Sequence, residues 1–185
     1  MKLLLVWLLF LMPQVTEPYK HRLELEPMLE DAVALRKLTI MYDVSEPLVH
    51  HGFQLFFVRG DGSLILQAYP QRPVATTDIP TCRNKVSQDK VKDLVSLIIN
   101  RHFWDLPEKN FIFVYASNGE EKLVLHQISI DNGAGKAART FGVGTYAGKQ
   151  ETIPDDFAAI EEQLIQLKDL ALSNKPCHFA PAIKF

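Results

Sequence analysis

The sequence predicts an α+β domain, an antiparallel sheet of about six strands with two amphipathic helices packed on one face. Short strand-forming runs are joined by turn signals at Gly60-Asp61-Gly62, Asn118-Gly119 and Asn132-Gly133. Asp-Gly and Asn-Gly turns join neighbouring strands antiparallel. Two other segments, roughly 88–102 and 154–173, repeat apolar residues at the 3.6-residue period of a helix with one buried face. The order strand, hairpin, helix, three meandering strands, helix then gives a sheet covered by helices on one side.

The elements follow in chain order. Residues 27–37 mix Met28, Leu29, Val33 and Leu35 with Glu30, Asp31 and Arg36, and suit a short helix or an extended lead-in. Leu38–Asp43 alternates apolar and polar residues and reads as a strand. Phe53–Arg59 and Ser63–Tyr69 flank the Asp-Gly turn as a hairpin. Residues 70–86 hold Pro70, Pro73 and Pro80 and read as one long connection. Ser87 suits the N-cap of the first helix, because its hydroxyl can accept an otherwise unpaired amide. Val91, Leu94, Val95 and Ile98 form that helix's buried stripe, and Pro107 bars its continuation.

Asn110–Ala116, Lys122–Asp131 and Lys136–Val143 read as the three remaining strands, with 144–153 as a loop. The last helix opens near Pro154, where Asp155 and Asp156 suit the positive end of the helix dipole. Phe157, Ile160, Leu164, Leu167 and Leu170 line one face, and Glu161-Glu162 reads as a solvated pair beside it.

The amino terminus carries a different signal. Lys2 precedes the unbroken apolar run Leu3–Met12, and Pro13 ends it. That is the pattern of an export leader, and it is about half the ~20 apolar residues of a spanning helix. The expected division is a leader at 1–16, a lead-in at 17–37, one domain at 38–173 and a tail at 174–185. A secreted or periplasmic location follows, with no stable membrane span once the leader is removed. In that setting Cys82 and Cys177 are expected to form a disulfide that ties a mid-chain loop to the tail; in a reducing compartment they stay as two thiols. Chain-entropy arithmetic gives about 4–5 kcal/mol, as an upper figure, for closing a loop of that length.

The charge balance excludes one class. A net charge of −2 supplies no cationic surface for sequence-independent nucleic-acid binding. No motif specifies a cofactor or a metal. Gly133-Ala134-Gly135-Lys136 lacks the flanking residues of a phosphate loop and precedes a strand, so it reads as a hairpin turn. His50-His51 are neighbours that point to opposite sides in an extended chain, and a solvated loop explains them better than a metal site with Asp43 and Glu46. His126 shares a strand face with Val124, Ile128 and Ile130 and reads as a core or edge residue with a hydrogen-bond partner. No serine sits in a Gly-x-Ser-x-Gly elbow.

The Gly60-Asp61-Gly62 hairpin, the Val91–Ile98 helix ending in Phe103-Trp104-Asp105-Leu106, the Ile128-Ser129-Ile130 strand and the Ile153-Pro154 helix with Leu164 and Leu167 form a recognisable series. Over residues 38–172 it resembles small exported bacterial domains of unknown function, and also emfourin-type protein inhibitors of metallopeptidases. The Cys-x-x-Cys-Pro-like segment of the first group is absent near Ser45–His51, and the Gly-Gly pair of the second is absent from the first hairpin. No family active site therefore transfers to a residue of this chain. The resemblance implies a binding protein with a peptidase as partner.

The expected function is binding without catalysis. Its contacts would lie on the long loops, at Tyr69, Arg72 and Tyr146. Tyrosine on a loop is a rigid binding group with little entropy to lose. The opposing expectation is an extracytoplasmic hydrolase that uses His126 or His50.

Overall fold

The computed structural model describes residues 25–45, 53–69, 81–107, 123–146 and 149–173. Within them the α+β architecture is realised as a seven-stranded sheet. Its strands are β1 (Thr39–Ser45), β2 (Phe53–Arg59), β3 (Ser63–Tyr69), β4 (Thr81–Lys85), β5 (Leu123–Asp131), β6 (Lys136–Tyr146) and β7 (Lys149–Glu151), in the spatial order β4-β3-β2-β1-β5-β6-β7. Every neighbouring pair is antiparallel. The first strand is central, with one meander growing outward on each side. The helices are α1 (Ala32–Leu35), α2 (Gln88–Asn100) and α3 (Asp155–Ser173), with single 3-10 turns at Glu26–Leu29 and Phe103–Asp105.

One face of the sheet carries the core. Ile40 and Tyr42 of β1 lie opposite Val58 and Phe56 of β2 and opposite Ile130 and Ile128 of β5, and all six are buried. Alternation along each strand sends these side chains to the helix side. The turns match their chemistry. Gly62 has φ +87°, and Asp61 Oδ1 accepts from Ser63 N at 2.9 Å. A side chain at Gly60 would place its Cβ 1.6 Å from the Leu35 carbonyl oxygen, so the hairpin can pass α1 only as glycine. In the β5–β6 turn, Asn132 Oδ1 accepts from Ala134 N and Gly135 N, and Gly133 takes φ +83°. The Gly-Ala-Gly-Lys run is thus a hairpin turn.

The two long helices share the core face. Ser87 caps α2 by accepting from Lys90 N at 3.4 Å. The helix ends at Asn100, two residues earlier than predicted, because His102 adopts a left-handed backbone, φ 49°, that breaks the helical run. Phe103 and Trp104 then pack edge-to-face at 5.1 Å. Arg139 on β6 fixes this corner by donating to the carbonyls of Leu106, Trp104 and Ala138 at 2.7–2.8 Å.

Helix α3 crosses the strands steeply. Phe157 meets Phe141 of β6 with ring centroids 4.8 Å apart, while thirteen residues later the Leu170 carbonyl accepts from Asn84 Nδ2 of β4 at 2.6 Å. Thirteen helical residues span about 20 Å, close to the ~24 Å of five strand spacings. One helix therefore fastens both meanders together.

Several boundaries differ from expectation. Strand β4 lies inside the predicted 70–86 connection and β7 inside the predicted 144–153 loop, so the described residues alone supply seven strands. Both are polar edge segments held by backbone pairing, with little side-chain pattern to announce them. The expected strand Asn110–Ala116 lies outside the described residues. Leu25, Met28 and Leu35, within the expected lead-in, pack into the core, and Asp31 caps α1 by accepting from Val33 N and Ala34 N.

Candidate functional site

The most concentrated polar chemistry lies where α3 crosses the sheet centre. Glu161 sits four residues after Phe157 and three before Leu164, so helical geometry turns it toward the strands. It is 8% exposed. Tyr42 of β1 donates its hydroxyl to Glu161 Oε1 at 2.7 Å. His126 of β5 pairs through Nδ1 with the same oxygen. A carboxylate only accepts, so the Nδ1 proton belongs to the imidazole. His126 has the hydrogen-bond partner expected of it and is part-buried. The expectation of a solvated Glu161 is corrected: its helical position puts it on the core stripe, and only Glu162 of the pair is exposed.

The environment sets the charges. Burial acts to raise the Glu161 carboxyl, but the hydrogen bonds from His126 and Tyr42 and the charge of His126 outweigh it and hold the group below its ordinary range. Burial, followed by the Glu161 hydrogen bond and charge, pushes the Tyr42 phenol far upward. The three groups form a brace between β1, β5 and α3, with the ionised carboxylate satisfied by two donors.

Asp43, the residue after Tyr42, points to the opposite face of the sheet. It lies between Leu55 of β2 and Gln127 of β5. Among the described residues its buried Oδ1 has no hydrogen-bond partner. Burial pushes its carboxyl up to about 6, against the lowering effect of the Val44 backbone.

One recess adjoins Tyr42 and a second lies away from these groups. A small cavity under α3 is lined by Tyr42, Val44, Gln54, Phe56, Leu66 and Lys168. An open cleft of about 470 Å³ lies at the head of α2, between Arg36, Asp61, Lys85, Val86, Ser87 and Gln88. Within that cleft the Ser63 backbone amide holds the Asp61 carboxyl below its ordinary value, burial opposes this, and the charges of Lys85 and Arg59 assist.

The residues expected to bind are distributed as follows. Tyr69 is the last residue of β3, paired with Phe53. Tyr146 is the last residue of β6, paired with Lys149. Arg72, Cys177, His50 and His51 lie outside the described residues. Cys82 is buried on β4 opposite Leu66. The register puts Ser45, Phe53, Tyr69, Thr81, Leu123, Tyr146 and Lys149 at one end of the sheet. Tyr69 and Tyr146 are four strand spacings apart there, about 19 Å measured across the strands.

No family model matches the chain, and no curated protein matches it. Among the described residues no helix is long and apolar enough to cross a membrane, and no group of three or more His, Cys, Asp or Glu side chains is arranged to hold a metal ion.

Proposed function

We propose that this chain is an exported binding protein without catalytic activity, whose partner docks at the sheet end that carries Tyr69 and Tyr146, with Arg72 three residues beyond Tyr69. One observation carries the reading: strand termini of both meanders, far apart in sequence, gather at that end. Binding surfaces are commonly built this way, from loops on a rigid scaffold. The brace supports the same reading, because His126, Glu161 and Tyr42 are engaged with one another and hold α3 in place. The emfourin-type resemblance makes a secreted metallopeptidase the first partner to test.

The test is titration of secreted metallopeptidases with the purified chain, and with Tyr69→Ala and Tyr146→Ala. Inhibition that weakens tenfold or more in either variant is expected. Equal inhibition by all three proteins would place the contact elsewhere. A second reading, hydrolysis using His126, rests on the His126–Glu161 pair. It requires turnover of ester or peptide substrates that disappears in His126→Ala.

The Cys82–Cys177 disulfide belongs to the same proposal. Asn84, two residues beyond Cys82 on the same face of β4, holds the Leu170 carbonyl near the end of α3. Cys177 follows Ser173 by four residues, a reach of about 14 Å. Intact mass after thiol labelling without reduction is expected to show no added label. Two labels per chain would refute the bridge.

A further inference from the structure

Three segments far apart in sequence meet beside the head of α2, and two glycines let them approach. A Cβ at Gly60 would lie 1.6 Å from the Leu35 carbonyl oxygen and 3.1 Å from Arg36 N, so the β2–β3 hairpin presses against the end of α1. A Cβ at Gly62 would lie 2.2 Å from the Val86 carbonyl oxygen, and the Gly62 carbonyl accepts from Val86 N at 2.9 Å, so the same hairpin presses against the β4–α2 junction. The cleft of about 470 Å³ opens between them, lined by Arg36, Asp61, Lys85, Val86, Ser87 and Gln88. Its charge runs against that of the chain, whose net charge is −2. Arg36 and Lys85 are exposed, and among the described residues neither side chain is engaged in an ion pair. Arg59, exposed at the end of β2, adds a third cation close enough to act with Lys85 on the Asp61 carboxyl. Asp61 is the single carboxylate of the lining, and its Oδ1 already accepts from Ser63 N at 2.9 Å. Three cations against one carboxylate leave two positive charges unbalanced.

We propose that this cleft binds a small phosphate monoester, of the size and polarity of a phosphorylated sugar, with the phosphate held by Arg36 and Lys85. Charge sets the class: a phosphate monoester carries about −1.5 to −2 at neutral pH, which matches the excess. A guanidinium fork and an ammonium are suited to its oxygens, the first by paired hydrogen bonds and the second as a point charge. The Ser87 hydroxyl, whose oxygen accepts from Lys90 N, keeps its proton to donate. Volume and lining set the rest of the ligand. The cleft lies within the usual range of small-molecule sites and is far larger than a phosphate alone. Val86 is the single apolar side chain of the lining, and the Asp61 and Gln88 side chains suit a body rich in hydroxyl groups. The inference is independent of the binding reading, because the Gly60–Gly62 turn closes the hairpin at the opposite end of the strands from the Phe53–Tyr69 pair.

The test is calorimetric titration of the full chain with glucose 6-phosphate at low salt and about pH 7.5, where the ester is close to a dianion. Saturable binding at one site is expected, with a Kd below about 1 mM, and glucose without the phosphate is expected to bind at least tenfold more weakly. Arg36→Gln and Lys85→Gln each remove one charge-assisted contact and are expected to weaken binding at least tenfold. Both side chains are exposed, so neither variant disturbs the core. Arg101→Gln, which removes an exposed cation at the far end of α2, is expected to leave binding within about twofold of the parent. Absence of saturable binding, or equal binding of glucose, would overturn the proposal. So would parent affinity in both Arg36→Gln and Lys85→Gln, or a loss in Arg101→Gln as large as theirs, which would reduce the effect to general charge.

Discussion

Two carboxyl groups lie back to back at the middle of the sheet, and they behave oppositely. Glu161 reaches one face of β1 from α3, and Asp43 projects from the other face of the same strand. Glu161 is the more buried, yet its carboxyl is held low; Asp43 keeps part of its surface in water, yet its carboxyl rises to about 6. The difference is in the donors. Glu161 Oε1 receives Tyr42 and His126, whereas Asp43 Oδ1 has no partner among the described residues. Burial penalises charge on both, and hydrogen bonds to the charged form reverse that penalty on one side only. The result is a structural brace on the helix face and a poorly matched acid on the other.

The strongest way to break the comparison is to remove the braced carboxylate. Glu161→Ala removes the acceptor of the buried Tyr42 hydroxyl and of the part-buried His126 Nδ1–H and unpins the middle of α3. A loss of about 3–4 kcal/mol is expected in urea unfolding. A loss under about 1 kcal/mol would show that the brace is ornamental.

Asp43→Asn tests the other face with the opposite sign. The folded pKa, about 6, exceeds the ordinary value of 3.8. The stability this group contributes is therefore full below about pH 4 and is lost as pH rises through about 6. The partial exposure of Asp43 screens the effect to roughly 1–2 kcal/mol. Asp43→Asn is expected to stabilise the protein by that amount at pH 7 and to have little effect at pH 4. Destabilisation at pH 7 would reveal a partner for the ionised Asp43.

The acid limb belongs to Glu161. Its folded pKa is depressed, so the stability it supplies is present above the ordinary carboxylate range and is lost as pH falls through the folded value. Unfolding measured from pH 6 down to pH 2 is expected to show a steeper acid loss in the parent than in Glu161→Gln. The smallest effect is that of Tyr42→Phe, which removes one of two donors and keeps the ring; about 1 kcal/mol is expected.

Much of the fold was legible because periodicity reports which side of an element is dry. Val91, Leu94, Val95 and Ile98 announce α2, and the Asp-Gly and Asn-Gly turns announce the hairpins around β2–β3 and β5–β6. Strand β4, Thr81–Lys85, was not legible, because Cys82 is its only fully buried residue and backbone pairing to β3 holds the rest. The brace was half legible. His126 stood out as a polar residue in an apolar row, but its partner is 35 residues away in sequence. Glu161 did carry a local signal, its spacing from Phe157 and Leu164, which the adjacent Glu162 disguised as a solvated pair. Asp43 gave no such signal, since a carboxylate in an alternating strand looks solvent-facing and its burial is set by neighbours that are distant in sequence.

Side chains that are satisfied within the fold hold it, and docking of a partner at the sheet end that gathers the strand termini is our proposal. The most direct test of the central claim, that donors and not depth set these charges, is a carboxyl-carbon NMR titration of the intact chain. Asp43 is expected to titrate with a midpoint near 6 and Glu161 below the ordinary carboxylate range. Both groups titrating together near 4, or Glu161 titrating above Asp43, would contradict it.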